Sequence, residues 1–243
     1  IISDPINLAI PAGAIFFVRT WTNSTAGVMY RTPAGNLNTT GGVPTSGECV
    51  AFGATTPNLV ATPGGFTNSN TTLYYSPTAI IGLTTRPSIF ITGDSRQCNN
   101  GGADSTTDGF GLAGELGRSL GRSFATLRSA CASEKVNVIV GTPSLYARRL
   151  ALAQYCSHVA CGYGINDIFV DSRTSAQVLA DLQSLWALFG TKPVFQQTLS
   201  PVSTSSDSWA TTVNQTTHAS NAQRTALNDL IRMMPQGIAG MFE

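Results

Sequence analysis

Ser88-Ile89-Phe90-Ile91-Thr92-Gly93-Asp94-Ser95 is the stretch on which the fold turns. Its first five residues form a short uncharged run centred on β-branched and aromatic side chains. Such a run predicts a strand buried on both faces of a parallel sheet. It stops at a Gly that permits a tight turn, and a Ser follows two positions later. A Ser just past a central strand stands where a nucleophile is presented, although Gly-Asp-Ser by itself is also an ordinary turn sequence.

Working outward, the chain repeats this grammar. Leu112, Leu116, Leu120, Phe124 and Leu127 recur at helical spacing and predict a helix, with Asp108 as a cap before it. Val136-Asn137-Val138-Ile139-Val140 predicts the second strand, which ends at Gly141. A Gly there aims its backbone N–H into a crevice with no side chain in the way. Thr142 and Pro143 then read as the N-cap and first position of a helix. His158 to Tyr163 predicts the third strand, which runs into Gly164-Ile165-Asn166-Asp167. The neutral amide of Asn166 can donate to an oxyanion; the plainer reading is an Asn-Asp turn cap. Thr174 and Gln177 have capping-box spacing, and Gly190 closes the helix they open. Val194 to Thr198 and Ile238 to Phe242 predict strands four and five. A helix over 217–233 lies between them, with Ala222, Leu227, Leu230 and Ile231 facing inward. Repeated β-α units imply a parallel sheet with helices on both faces and a ligand crevice at the carboxyl ends of the strands.

Each of these strand ends is weak evidence alone, but their order is not. Gly93-Asp94-Ser95, Gly141 and Gly164-Ile165-Asn166-Asp167 resemble the first three sequence blocks of the SGNH hydrolase superfamily, the GDSL esterases and lipases. The resemblance covers roughly residues 86–243. It looks closest to bacterial and phage-type members with a β-rich segment ahead of the hydrolase domain. It implies an α/β fold, a flavodoxin-like three-layer parallel sheet of the SGNH hydrolase type. It also implies acyl transfer without a cofactor. Ser95 would be the nucleophile. The backbone N–H groups of Ser95 and Gly141 and the Asn166 amide would form the oxyanion hole. The substrate would be an acylated small molecule or glycan, with acetyl esters the leading case.

The family's base sits in a late Asp-x-x-His block, and here the sequence departs from it. The only histidines are His158 and His218, and residues 155 and 215 are Tyr and Gln. His158 opens the third strand, away from the crevice, and His218 sits near the start of a helix, after a Thr-rich loop. The expectation is therefore that the Asp-x-x-His block lies downstream of Glu243. The competing expectation is a non-catalytic structural or carbohydrate-binding protein, such as a virion surface component, that keeps the fold.

Residues 1–87 follow a different pattern. Five charged residues (Asp4, Arg19, Arg31, Glu48 and Arg86) sit among Gly, Pro, Thr and Asn. Short apolar segments, among them Ile6 to Ile10 and Ala14 to Val18, alternate with turn signals. This predicts a β-sandwich-like segment ahead of a hydrolase domain at 88–243.

Composition narrows the setting. Charged residues are 11% of the 243 and the net charge is +1, against ~25% charged in an average soluble chain. No basic field exists to hold a phosphate backbone, which argues against nucleic acid. No apolar run reaches the ~18 residues of a membrane span. Five cysteines without a CxxC pair, beside two histidines, argue against a zinc site. Cys98 and Cys131 stand where they could meet beside the sheet. Asp207 and Trp209 fall in a loop that could line the crevice. The Thr-rich, nearly uncharged surface suits an extracellular, periplasmic or virion-exposed protein, alone or assembled with copies of itself.

Overall fold

The computed structural model describes residues 79–98 and 114–243 continuously, and from the front of the chain 5–11, 14, 16, 18–21, 39–40, 43–44 and 57–62. Two compact units divide the chain, Ile1–Thr78 and Ala79–Glu243. In the first, Thr39–Thr40 pairs antiparallel with Val43–Pro44. Ile6 to Ile10, read from the sequence as a strand, is irregular and exposed. The remaining strands expected of the sandwich-like segment lie largely outside the described residues.

The second unit is built on one parallel sheet. Its strands are β1 (Ser88–Gly93), β2 (Ala125–Arg128), β3 (His158–Gly162), β4 (Val194–Gln197) and β5 (Gly240–Phe242), in the spatial order β2-β1-β3-β4-β5. This is the flavodoxin-like order, with its switch point between β1 and β3. Among the described residues seven α-helices connect the strands: α1 (Ser95–Cys98), α2 (Gly114–Leu120), α3 (Val136–Gly141), α4 (Pro143–Leu150), α5 (Ile165–Phe169), α6 (Ser175–Ala187) and α7 (Asn221–Arg232).

Strand alternation sorts the core into two layers. Phe90, Val159 and Cys161 point to one face. There they pack with Val136 and Ile139 of α3, Leu182 and Trp186 of α6, and Leu227 and Ile231 of α7. Ile89, Ile91 and Ala160 point to the other face, against Leu116 of α2. Phe90 is wholly buried, and such a side chain contributes roughly 1.5–3 kcal/mol. On the second face His158, Phe195 and Phe242 line up across β3, β4 and β5, their ring centroids 6.1 and 5.7 Å apart in sequence.

Local signals explain most of these elements. The Thr174 hydroxyl accepts from Gln177 N, and Gln177 Oε1 accepts from Thr174 N, which closes the capping box of α6. Gly190 has φ 63° in the turn that follows that helix. Pro143 opens α4 behind Thr142, as its fixed φ favours. Ala222 proves exposed, whereas Leu227 and Ile231 carry the buried face of α7.

Two elements differ from the sequence reading. Residues 136–141 form helix α3, and the second strand is Ala125–Arg128, part of the stretch expected to be helical. A Val-rich run without alternation satisfies a buried strand and a buried helix face equally well. Tertiary contacts decide here: Val136 and Ile139, three apart, enter the core, and Val138 stays exposed. Helix α2 ends at Leu120 because Gly121 and Ser123 follow it, and Phe124 is carried into β2 as packing for the smaller face. Leu112 and Asp108 lie outside the described residues.

Candidate active site

Ser95 stands directly beyond the carboxyl end of β1, as the first residue of α1. It is half-buried. Its carbonyl takes the Cys98 thiol at 3.9 Å, and its hydroxyl makes no hydrogen bond to a described residue. Gln97 holds the turn. This side chain is fully buried and donates to Gln197 Oε1 at 2.6 Å, while its own Oε1 accepts from Leu116 N at 3.0 Å. A Cβ on Gly93 would fall 2.4 Å from Gln97 Cγ, and one on Gly162 would fall 2.6 Å from Gln97 Nε2. The glycines that end β1 and β3 are therefore the slot into which Gln97 fits.

Asn166 is presented from the neighbouring strand end. Gly93 and Gly162 are register partners, so the turns after β1 and β3 leave the sheet side by side. Gly164 takes φ 123°, a conformation that side chains resist, and this turn starts α5. The Asn166 amide donates to the Glu134 carbonyl oxygen at 2.9 Å. A primary amide has two N–H bonds; one fixes the rotamer here, and the other meets no partner among the described residues. The Asp beside it has a structural role. Asp167 accepts from Val136 N and Asn137 N, both at 3.1 Å, and so caps the start of α3. Burial raises its pKa, and those two bonds oppose the rise.

The position of Gly141 is a correction. Because 136–141 is a helix, Gly141 is no strand exit. It ends α3, exposed, with nothing within 4 Å of a Cβ placed on it. It lies roughly 8 Å along the helix axis from the capped end beside Asp167. The segment that does border the β1 exit is the turn after β2. Ser129 N donates to Ile91 O at 2.7 Å and Cys131 N to Gly93 O at 3.1 Å, which extends the ladder past the formal strand. Ser133 in this turn has φ 63°, a left-handed value at a non-glycine residue.

Behind the turn lies a buried polar group that sequence reasoning missed. Glu134 receives Arg149 through both carboxylate oxygens, at 2.5 and 2.8 Å, and Tyr163 Oη at 2.7 Å. Thr92 Oγ1 donates to Tyr163 Oη at 3.1 Å. Burial first, then the Glu134 charge, keeps the Tyr163 phenol protonated. Nothing in the spacing of these four residues marked them; they meet only because β1, β3, α4 and the turn after β2 converge.

The histidines are placed elsewhere. His158 begins β3, the central strand, at the end of the sheet opposite Ser95, with Nδ1 2.8 Å from Ser157 Oγ. His218 is exposed. It accepts from Ser220 N at Nδ1 over 3.1 Å, and its ring stands edge-on to Phe169. With Nδ1 accepting, neutral His218 carries its proton on Nε2. Arg96 lies 3.6 Å from Glu115 and donates to Ser200 Oγ; only its backbone N–H reaches the Asp94 carboxylate. Cys98, Cys131, Cys156 and Cys161 are free thiols, and burial pushes Cys161 up to about 12. Among the described residues no group of three metal-binding side chains occurs. None of the described helices is long and apolar enough to cross a membrane.

Asp94 is the most perturbed carboxyl. It is fully buried, and no partner among the described residues reaches its Oδ2. Desolvation raises its pKa from 3.8 to about 7, against the pull of the Arg96 N–H and guanidinium. The native state therefore holds a proton that the unfolded chain gives up between those values. The contribution is fully present below pH 3.8 and is lost as pH rises through 7. Asp94→Asn is expected to flatten that part of the stability–pH curve and to stabilise the protein at pH 8. The gain is bounded by about 4 kcal/mol. Urea unfolding at pH 4, 6 and 8 checks it, and an unchanged slope would count against it.

No protein-family model matches the chain, and no curated protein does. Solved structures resemble it. A mutant of the acetyl-xylooligosaccharide esterase Axe2 of Geobacillus stearothermophilus is 14% identical over 63% of this chain and 73% of that one, with a TM-score of 0.41. A lipase/acylhydrolase from Enterococcus faecalis is 12% identical over 64% and 75%, with a TM-score of 0.42. AlinE4, an SGNH-hydrolase family esterase, is 11% identical over 49% and 61%, with a TM-score of 0.37. At these values no residue role is transferred from them, and the site stands on its own geometry.

Proposed function

We propose that the protein is a serine ester hydrolase acting on acyl esters, acetyl esters foremost, with glycan-borne esters included. Ser95 Oγ attacks the ester carbonyl while its proton passes to water, since no described residue accepts it; the tetrahedral adduct expels the alcohol, which takes up a proton, and a water then releases the acid from acyl-Ser95. The second N–H of the Asn166 amide and the backbone N–H of Ser95 receive the oxyanion. The part first expected of Gly141 falls to the turn after β2, through an N–H other than those of Ser129 and Cys131, which are bonded to β1. The observation that carries this reading is the Asn166 amide held by the Glu134 carbonyl with one donor left over, beside the turn that presents Ser95. Preorganised donors of this kind each supply roughly 2.7–4 kcal/mol to an oxyanionic transition state. The low charge of the chain fits an exported or virion-exposed setting.

The placement of both histidines favours a second reading, a scaffold that binds acylated glycans without cleaving them. A phosphonate ester that phosphonylates nucleophilic serines separates the two. Under the first reading, one equivalent adds and peptide mass spectrometry finds it on Ser95. An unlabelled Ser95, or labelling spread over other serines, would favour the second.

A further inference from the structure

The connection between β4 and α7 carries a small antiparallel hairpin, Ser203–Ser205 paired with Gln215–Thr217. Two consecutive residues at its tip, Ser208 and Trp209, have φ values of 55° and 69°. Left-handed backbone at a bulky residue is strained and persists only where its surroundings impose it. Asp207 imposes it here. Its carboxylate accepts Ser205 Oγ at 2.7 Å, Thr211 N at 2.9 Å, Thr211 Oγ1 at 2.6 Å and Asn214 Nδ2 at 3.1 Å. Trp209 N donates to Ser205 Oγ at 2.8 Å. The Thr211 hydroxyl, followed by the other donors, holds the Asp207 carboxyl well below the usual range, so it stays an anion. The strained, fully bonded tip presents an indole that is 57% exposed.

Position and chemistry select the occupant. The foot of the hairpin adjoins the nucleophile turn: Arg96, next to Ser95, donates to Ser200 Oγ, and Gln97 donates to Gln197. Residues 198–217 contain one charged side chain, Asp207, and it is turned into its own loop. Among the described residues the cations that reach this segment, Arg96 and Arg224, engage its foot at Ser200 and Leu199 rather than its tip. Val213 alone does not make an apolar strip for a long acyl chain. The other polar side chains of this segment are neutral hydroxyls and amides. An exposed aromatic ring carried on such a segment matches a neutral sugar, whose C–H face stacks on the ring while its hydroxyls pair with neutral polar groups.

We propose that Trp209 is a stacking platform for a neutral sugar ring, which seats the glycan part of an acylated glycan beside Ser95. The acyl part of this statement rests on the ester-hydrolase reading; the binding part does not. The full chain is titrated with xylotetraose, cellotetraose and N-acetylchitotetraose while tryptophan emission is followed. The other two tryptophans serve as controls, since Trp186 is buried and Trp21 is exposed in the other unit. At least one sugar is expected to change the emission saturably. Trp209→Ala should weaken that binding by about tenfold or more. Trp209→Phe should restore most of it, and Trp21→Ala should leave it unchanged. Asp207→Ala should weaken it with the ring intact, because the mount is lost. Melting curves of each variant confirm folding. Equal affinity in folded Trp209→Ala, or no response to any of the three sugars, overturns the proposal. Sugar binding with a phosphonate-inert Ser95 would remove the hydrolase reading and keep the platform.

Discussion

Hydrolysis of 4-nitrophenyl acetate is expected to fall by about 10³-fold or more when Ser95 is replaced by Ala. The substitution removes one oxygen from a half-buried position and should leave the turn intact, because that turn is held by Gln97 rather than by the Ser95 hydroxyl. Loss of a nucleophile abolishes the covalent route and leaves only what oxyanion donors do for attack by water. KM should change little, since the hydroxyl adds little to ground-state binding. Asn166→Ala in the same assay should act on kcat, by roughly 10²–10³-fold. Hydrolysis that persists undiminished in Ser95→Ala would remove Ser95 from the mechanism.

Replacing Arg149 by Met is expected to produce the largest loss of stability, about 3 kcal/mol. Glu134 keeps only 10% of its side-chain surface exposed, and Arg149 keeps 27%. Removing the cation leaves a nearly buried carboxylate with Tyr163 as its one remaining side-chain partner. Breaking such a pair from one side costs about 3–5 kcal/mol, and the exposure of Arg149 places this case at the low end. For a unit of this size the melting midpoint should drop by roughly 6–12 °C. Glu134→Gln added to Arg149→Met should recover much of that, because no unpaired charge then remains. A fall of less than a few degrees in the single variant would mean that water already reaches Glu134. The double variant also bears on the site. Asn166 is oriented by the backbone carbonyl of residue 134, which Gln keeps, so kcat should return with stability in the double variant.

The parts of this fold legible in the sequence are those fixed by local chemistry. The β1 run, the Thr174 capping box, Pro143 behind Thr142 and the turn at Gly190 each depend on residues within four positions of one another. The misread parts depend on partners far away. Val136 to Val140 has the residues of a strand, but Asp167, about thirty positions later, supplies the carboxylate that caps those residues as a helix. The role expected of Gly141 failed with its strand. Ser95 and Asn166 were found from a pattern of strand ends, and the structure sets those ends in register through Gly93 and Gly162. Glu134, Arg149 and Gln97 had no signal of that kind. Their importance is a property of burial, which no spacing rule encodes.

Gln97 in its glycine slot has a consequence for how this sequence can vary. Gly93 and Gly162 flank this one side chain, Gly114 faces its backbone, and Gln197 answers its amide. A methyl added at Gly93 or Gly162 meets the stem or amide of Gln97, and shortening Gln97 strands both Leu116 N and Gln197. Each single change is harmful while the others stand, yet a coordinated set can be neutral. These positions are epistatic in the strict sense, with pairwise couplings of the size expected for residues in direct contact, about 0.5–3 kcal/mol. Lineages descended from this chain should therefore change them as a block or leave them alone, and a permissive substitution at position 97 should precede any side chain at 162.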